Sequence, residues 1–132
     1  MTVVVDASSV VAAAIDTGRV GVWADALLAD HDLVAPHLLP VEVAHTLRRA
    51  VLANDLADEA ASVAYAEVQK LRVELFAYGP LGSRAWELRR NVTMYDAWYV
   101  ALAESIGVPL VTLDRRLARA AGPRCEFLTP AG

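Results

Sequence analysis

The sequence predicts an α/β protein, a single domain over residues 1–132 with a five-stranded parallel sheet flanked by helices. Short β-branched and aliphatic runs recur along the chain, separated by longer segments whose apolar residues keep helical spacing. Strands that alternate with helices form parallel sheets covered by those helices. A chain of 132 residues holds one hydrophobic core but not two. With 56% hydrophobic and 21% charged residues it is not a disordered chain.

The elements follow in order. Val3-Val4-Val5 is a buried first strand that ends at Asp6. Ser8 to Ile15 and Gly18 to Ala29 read as helices, the second with a stripe of Val20, Trp23, Ala24, Leu27 and Leu28. Asp32 to Ala35 is a second strand closed by Pro36, and Pro40 suits the first turn of a helix that reaches Ala53. Asn54 or Asp55 is expected to cap the next helix, with Leu56, Ala60, Val63, Ala64, Val68 and Leu71 on one face. Glu74 to Tyr78 is the third strand, broken off by Gly79, Pro80 and Gly82. A helix over Ser83 to Arg90 precedes one opened by Thr93 and ended by Gly107. Pro109 to Leu113 is the fourth strand, a short helix follows Asp114, and Cys125 to Leu128 is the fifth.

The net charge of −4 argues against a protein that coats nucleic acid. The sum hides an asymmetry, because residues 1–80 carry 5 basic and 11 acidic side chains and residues 81–132 carry 7 and 5. The lone Cys125 forms no intrachain disulfide and reads as a small hydrophobe. No basic residue precedes Arg19 and Asp6 interrupts the first apolar run, so a soluble, cytoplasmic protein without a signal peptide or membrane span is expected.

Ligands of parallel sheets bind outside the carboxyl ends of the strands, where Asp6 and Asp114 are expected. Each also suits a helix N-cap, and Asp96, three residues after Thr93, resembles half of a capping box. Glu42 falls in the first turn after Pro40, where the helix dipole favours a carboxylate. Taken singly, Asp6, Asp96 and Asp114 read as structural, while Glu42, between apolar Val41 and Val43, suits a surface acid or a functional one. Together they can meet at one sheet edge, where like charges resist ionisation unless a cation compensates them. Oxygen-only ligation points to Mg²⁺ or Mn²⁺ rather than zinc, with phosphodiester hydrolysis as the chemistry.

Other constellations are weaker. Glu42 and His45 form Glu-x-x-His without the second copy that a di-iron bundle needs. His31 and His37 lack metal-ligand spacing, and Trp86, Trp98 and Tyr99 read as core. Lys70, the single lysine, lies within a helix, not after the last core strand where a phosphoacceptor domain requires one.

The segments VVVDASSV (Val3–Val10), PVEVAHTL (Pro40–Leu47), YDAWYVALAE (Tyr95–Glu104) and LVTLDRRL (Leu110–Leu117) resemble, in order and spacing, the PIN-domain ribonucleases. Within these, the chain is most similar to the toxins of VapBC toxin–antitoxin pairs. The resemblance implies a catalytic set of Asp6, Glu42, Asp96 and Asp114, with Asp6, Asp96 and Asp114 as metal ligands and Ser8 and Thr112 as supporting residues. It also implies Mg²⁺-dependent cleavage of RNA, a homodimer, and an antitoxin whose C-terminal segment wraps the toxin. The Trp23–Leu27 stripe and the Leu56–Leu71 helix are then expected to form the antitoxin groove. Arg89, Arg90, Arg115 and Arg116, in the net-basic part of the chain, are expected to hold RNA phosphates. The sequence leaves open a non-catalytic protein-binding module and a nuclease directed at DNA or at particular nucleic-acid structures.

Overall fold

The structure, a computed structural model, describes residues 1–132. Its first strand, β1 (Thr2–Val5), is the middle of the molecule: Val3, Val4 and Val5 are entirely buried. It pairs on one side with β2 (Asp32–Pro36), which pairs with β3 (Val73–Phe76), and on the other with β4 (Leu110–Val111), which pairs with β5 (Phe127–Leu128). Every pairing is parallel and the strand order is β3-β2-β1-β4-β5, so the five-stranded parallel sheet is as expected. In this order the chain leaves β1 for one side of the sheet and returns for β4 on the other. The crevice outside the ends of β1 and β4 is therefore the topological switch point.

Helices α1 (Ala7–Ile15), α2 (Arg19–Ala29), α3 (Leu39–Leu52) and α4 (Asp58–Gln69) pack on one another; α6 (Met94–Ile106) lies against β1, β2 and β4, with α5 (Gly82–Glu87) beside it. The short α7 (Arg115–Ala118) follows β4. Gly21 permits the close crossing of α1 and α2, since a Cβ there would lie 1.7 Å from the Asp16 carbonyl oxygen. Gly107 ends α6 at φ 69°, a conformation that other residues adopt at a cost.

Several boundaries differ from expectation. Asn54 does not cap α4: it takes φ 61° just after α3, and the N-cap of α4 is Ala57, with Asp58 and Glu59 complementing the dipole in the first turn. The buried face of α4 is Ala61 and Ala64, while Ala60 and Val63 point to solvent. An alanine-rich helix offers more than one stripe, and its neighbours choose between them. Helix α5 stops at Glu87, where the amides of Leu88 and Arg89 shift to the carbonyls three residues back, Ala85 and Trp86. Its inward residues are Leu81, Ala85 and Leu88, so Trp86, expected in the core, is 59% exposed.

Candidate active site

Asp6 follows β1 and is the N-cap of α1. Its Oδ1 accepts from the Ser8 hydroxyl at 2.7 Å and from the Ser9 amide at 3.0 Å, and its Oδ2 accepts from the Thr112 hydroxyl. Each of these hydroxyls is itself an acceptor: the Leu113 amide donates to Ser8 Oγ at 3.1 Å and the Asp114 amide to Thr112 Oγ1 at 3.0 Å. A hydroxyl has one proton, and an amide pointing at its oxygen directs that proton away, here onto Asp6. Ser8 and Thr112 thus stitch the end of β1 to the end of β4 and fix both carboxylate oxygens of Asp6. Three of about four acceptor positions on that carboxylate are filled, which leaves room for one further partner. Burial pushes the Asp6 carboxyl up from its ordinary range, and the three donors oppose that shift.

Asp114 is the N-cap of α7, its Oδ1 accepting from the amides of Arg116 and Leu117 at 2.9 and 3.1 Å. Asp96 lies in the first turn of α6, whose N-cap Thr93 accepts from the Asp96 amide at 3.1 Å. Burial first, then the charge of Asp114, then those of Asp6 and Glu42 push the Asp96 carboxyl up to about 6, against the Thr93 hydroxyl. Glu42, in the first turn of α3, accepts from the Tyr99 hydroxyl at 2.7 Å. Burial raises its pKa, the Tyr99 hydrogen bond opposes this, and the charge of Asp6 adds to the rise. Burial and then Glu42 hold the Tyr99 phenol far above its usual range, so it remains a protonated donor.

The fold therefore brings all four acids into one electrostatic neighbourhood. None of the three ion pairs in the molecule involves any of them. No three acidic, histidine or cysteine side chains converge closely enough to form a ready cation cage. Arg89, Arg90 and Arg116 line a cleft of about 660 Å³ together with Asp96 and Asp114. Arg115 does not join them: its Nη2 donates to the Pro130 carbonyl at 2.9 Å, tying α7 to the C-terminal residues.

Tyr99 is the site residue that sequence reasoning placed in the core alone. It is buried, yet its hydroxyl reaches Glu42 on another helix. Its place three residues after Asp96, on the same face of one helix, was the available signal. Burial pushes the Cys125 thiol up to about 11, away from the thiolate form that a nucleophile uses.

The expected antitoxin groove is only partly present. A groove between α2 and α4 is lined by Leu28, Val68 and Leu71, but Trp23 and Leu27 pack against the core instead of lining it. A second apolar groove lies between α3 and α4, at Leu47, Val51, Leu52, Ala61 and Tyr65. No helix is long and apolar enough to cross a membrane.

A parallel sheet with acids gathered outside the ends of β1 and β4 defines the class. The chain belongs to the PIN-domain family, whose model matches residues 3–123, and within it to the VapC-type toxins. Ribonuclease VapC1 of Mycobacterium tuberculosis is 45% identical over 125 residues, covering 94% of each chain. Among solved structures, PAE2754 from Pyrobaculum aerophilum superposes with a TM-score of 0.72 at 27% identity, over 96% of this chain and 83% of that one. VapBC2 from Rickettsia felis, solved bound to a DNA fragment from its promoter, shares the fold with a TM-score of 0.66 at 12% identity, over 98% of each chain.

Proposed function

We propose that this protein is a metal-dependent endoribonuclease acting as the toxin of a toxin–antitoxin pair. One observation carries the reading: four coupled carboxylates share a partly buried site with no ion-pair partner among them. Such charge calls for a cation. The all-oxygen donor set suits Mg²⁺ or Mn²⁺, and Asp6, Asp96 and Asp114 would hold the ion once it draws their carboxylates closer than they stand in its absence. When bound, the ion supplies charge neutralisation at the phosphate and a more acidic water.

The chain's own residues do the rest. Ser8 and Thr112 orient Asp6, and Tyr99 orients Glu42, whose raised pKa suits it to accept a proton from the attacking water. Arg90 and Arg116 hold phosphates at the cleft, with Arg89 beside them. Arg115 is left out of this role by its bond to the C-terminal segment. The ribonuclease names of the relatives support RNA as the polymer. The two apolar grooves beside α4 suit an antitoxin segment, and exposed Val41 and Val63 suit contact with a second copy of the chain.

The test is cleavage of an RNA and of a DNA strand of equal sequence, each with Mg²⁺, with Mn²⁺ and with chelator. RNA alone is expected to be cut, and only with metal. Cleavage that survives chelation, or no cleavage of any RNA offered, would overturn the assignment.

A further inference from the structure

Trp86 is an indole the fold does not use for its core. The inward residues of its helix are Ala85 and its neighbours Leu81 and Leu88, and Trp86 stands on the opposite side, 59% exposed. The guanidinium of Arg89 lies over its ring, 4.5 Å from the centroid, and Arg89 Nη1 donates to the Trp86 carbonyl at 2.9 Å. Tyr95 is as exposed, but no cation stacks on it. The turn that carries the pair is rigid: Leu88, between them, is 1% exposed and its carbonyl takes two backbone amides. The guanidinium and the indole are thus paired at the surface before any ligand arrives.

Arg89 also lines the cleft that holds Asp96 and Asp114, so the stack stands at the cleft's rim. Arg90 and Arg116, in the same cleft, have no carboxylate within ion-pair distance and are free for phosphates. Cationic side chains that track the backbone, with a planar group on which a base rests, are what binds a single strand. A duplex hides its base faces, so such a platform favours unpaired nucleotides.

We propose that the Trp86–Arg89 stack is a nucleobase platform that seats one unpaired base of the RNA beside the acidic cleft. The inference rests on the ribonuclease reading and adds to it the residues that seat a base beside the cleft. Trp86 is a positioning residue and takes no part in bond cleavage.

The experiment is steady-state cleavage of a labelled RNA in Mg²⁺ by wild type, Trp86→Ala and Trp86→Phe, with an abasic strand of equal length as competitive inhibitor. Trp86→Ala is expected to raise KM roughly five- to a hundredfold, the range for losing one base stack. It should leave kcat in place, because stacking holds ground and transition states alike. Trp86→Phe should recover most of the loss, and the abasic strand should inhibit all three proteins equally. An unchanged KM in Trp86→Ala, with wild type active, overturns the platform alone. Equal weakening toward the abasic strand overturns it too and makes Trp86 an ordinary support for Arg89. A wild type that cuts no RNA removes the platform together with the nuclease reading.

Discussion

Asp96→Asn is expected to lower RNA cleavage by at least on the order of a hundredfold while making the metal-free protein more stable. The first effect follows from the role proposed for Asp96 as a direct cation ligand. Losing a residue that only orients a ligand costs about 10- to 100-fold, so a ligand itself belongs at or beyond the upper end. The second follows from electrostatics. In the folded protein burial and the charges of Asp114, Asp6 and Glu42 raise the Asp96 carboxyl from 3.8 to about 6. Between these values the folded state binds more protons than the unfolded one, so stability falls as pH rises through the window. Above it the full penalty of an ionised Asp96 applies. For this half-buried group it is on the order of 1 kcal/mol after solvent screening. Asparagine never pays that penalty. Unfolding by denaturant from pH 3.5 to 8 should show the variant's advantage growing between pH 4 and 6 and then levelling. An advantage absent at pH 8 would mean that Asp96 is a solvated first-turn acid.

Thr112→Val is expected to act in the opposite direction, costing about 2 kcal/mol at neutral pH. Valine matches the shape of threonine, so packing around this fully buried residue changes little. What is lost is one hydroxyl with two duties. It donates to Asp6 Oδ2 and accepts from the Asp114 amide, so its removal takes a hydrogen bond from a half-buried carboxylate and leaves the amide of the exposed Asp114 to water. Hydrogen bonds to charged groups contribute about 1.5–3 kcal/mol, and this bond is the larger part of what is lost. With one opposing donor gone, the Asp6 carboxyl rises further, so the deficit is full where wild-type Asp6 is ionised and shrinks in acid. Ser8→Ala should cost less, because Ser8 is only partly buried and water replaces part of what it gives. Equal stabilities of wild type and Thr112→Val would contradict the stitching of β1 to β4.

Much of the fold was legible because its strands are local patterns. Val3-Val4-Val5 has no reading other than a buried strand, and the alternation of such runs with helices fixed the parallel class. Strand ends were less legible where side chains took over from the ladder. The Thr112 amide still reaches the Leu128 carbonyl of β5, but the donors after it, from Leu113 and Asp114, go to the hydroxyls of Ser8 and Thr112, and the fourth strand ends there. Asn54 was misjudged because a short polar residue serves either end of a helix, and its left-handed φ follows α3 rather than opening α4.

The site was legible one acid at a time and ambiguous each time. The structural readings of Asp6 and Asp114 as N-caps are correct, and the same strand-end position that makes them caps also gathers them. Capping and clustering are one geometry. What the sequence hid was long range. Tyr99 and Glu42 are 57 residues apart, Arg115 spends its guanidinium on Pro130, and the exposure of Trp86 depends on which face α5 turns inward.

Whether these acids form one cation-binding centre is decided by thermal unfolding with and without Mn²⁺ or Mg²⁺. Wild type, Asp6→Asn, Asp96→Asn and Asp114→Asn are compared in chelator and at a metal concentration about a hundredfold above the dissociation constant. Metal should stabilise wild type by about 2.7 kcal/mol there, and each variant should lose most of that response. A wild type indifferent to metal, or variants that respond as fully as wild type, would contradict such a centre and leave Asp6 and Asp114 as helix caps alone.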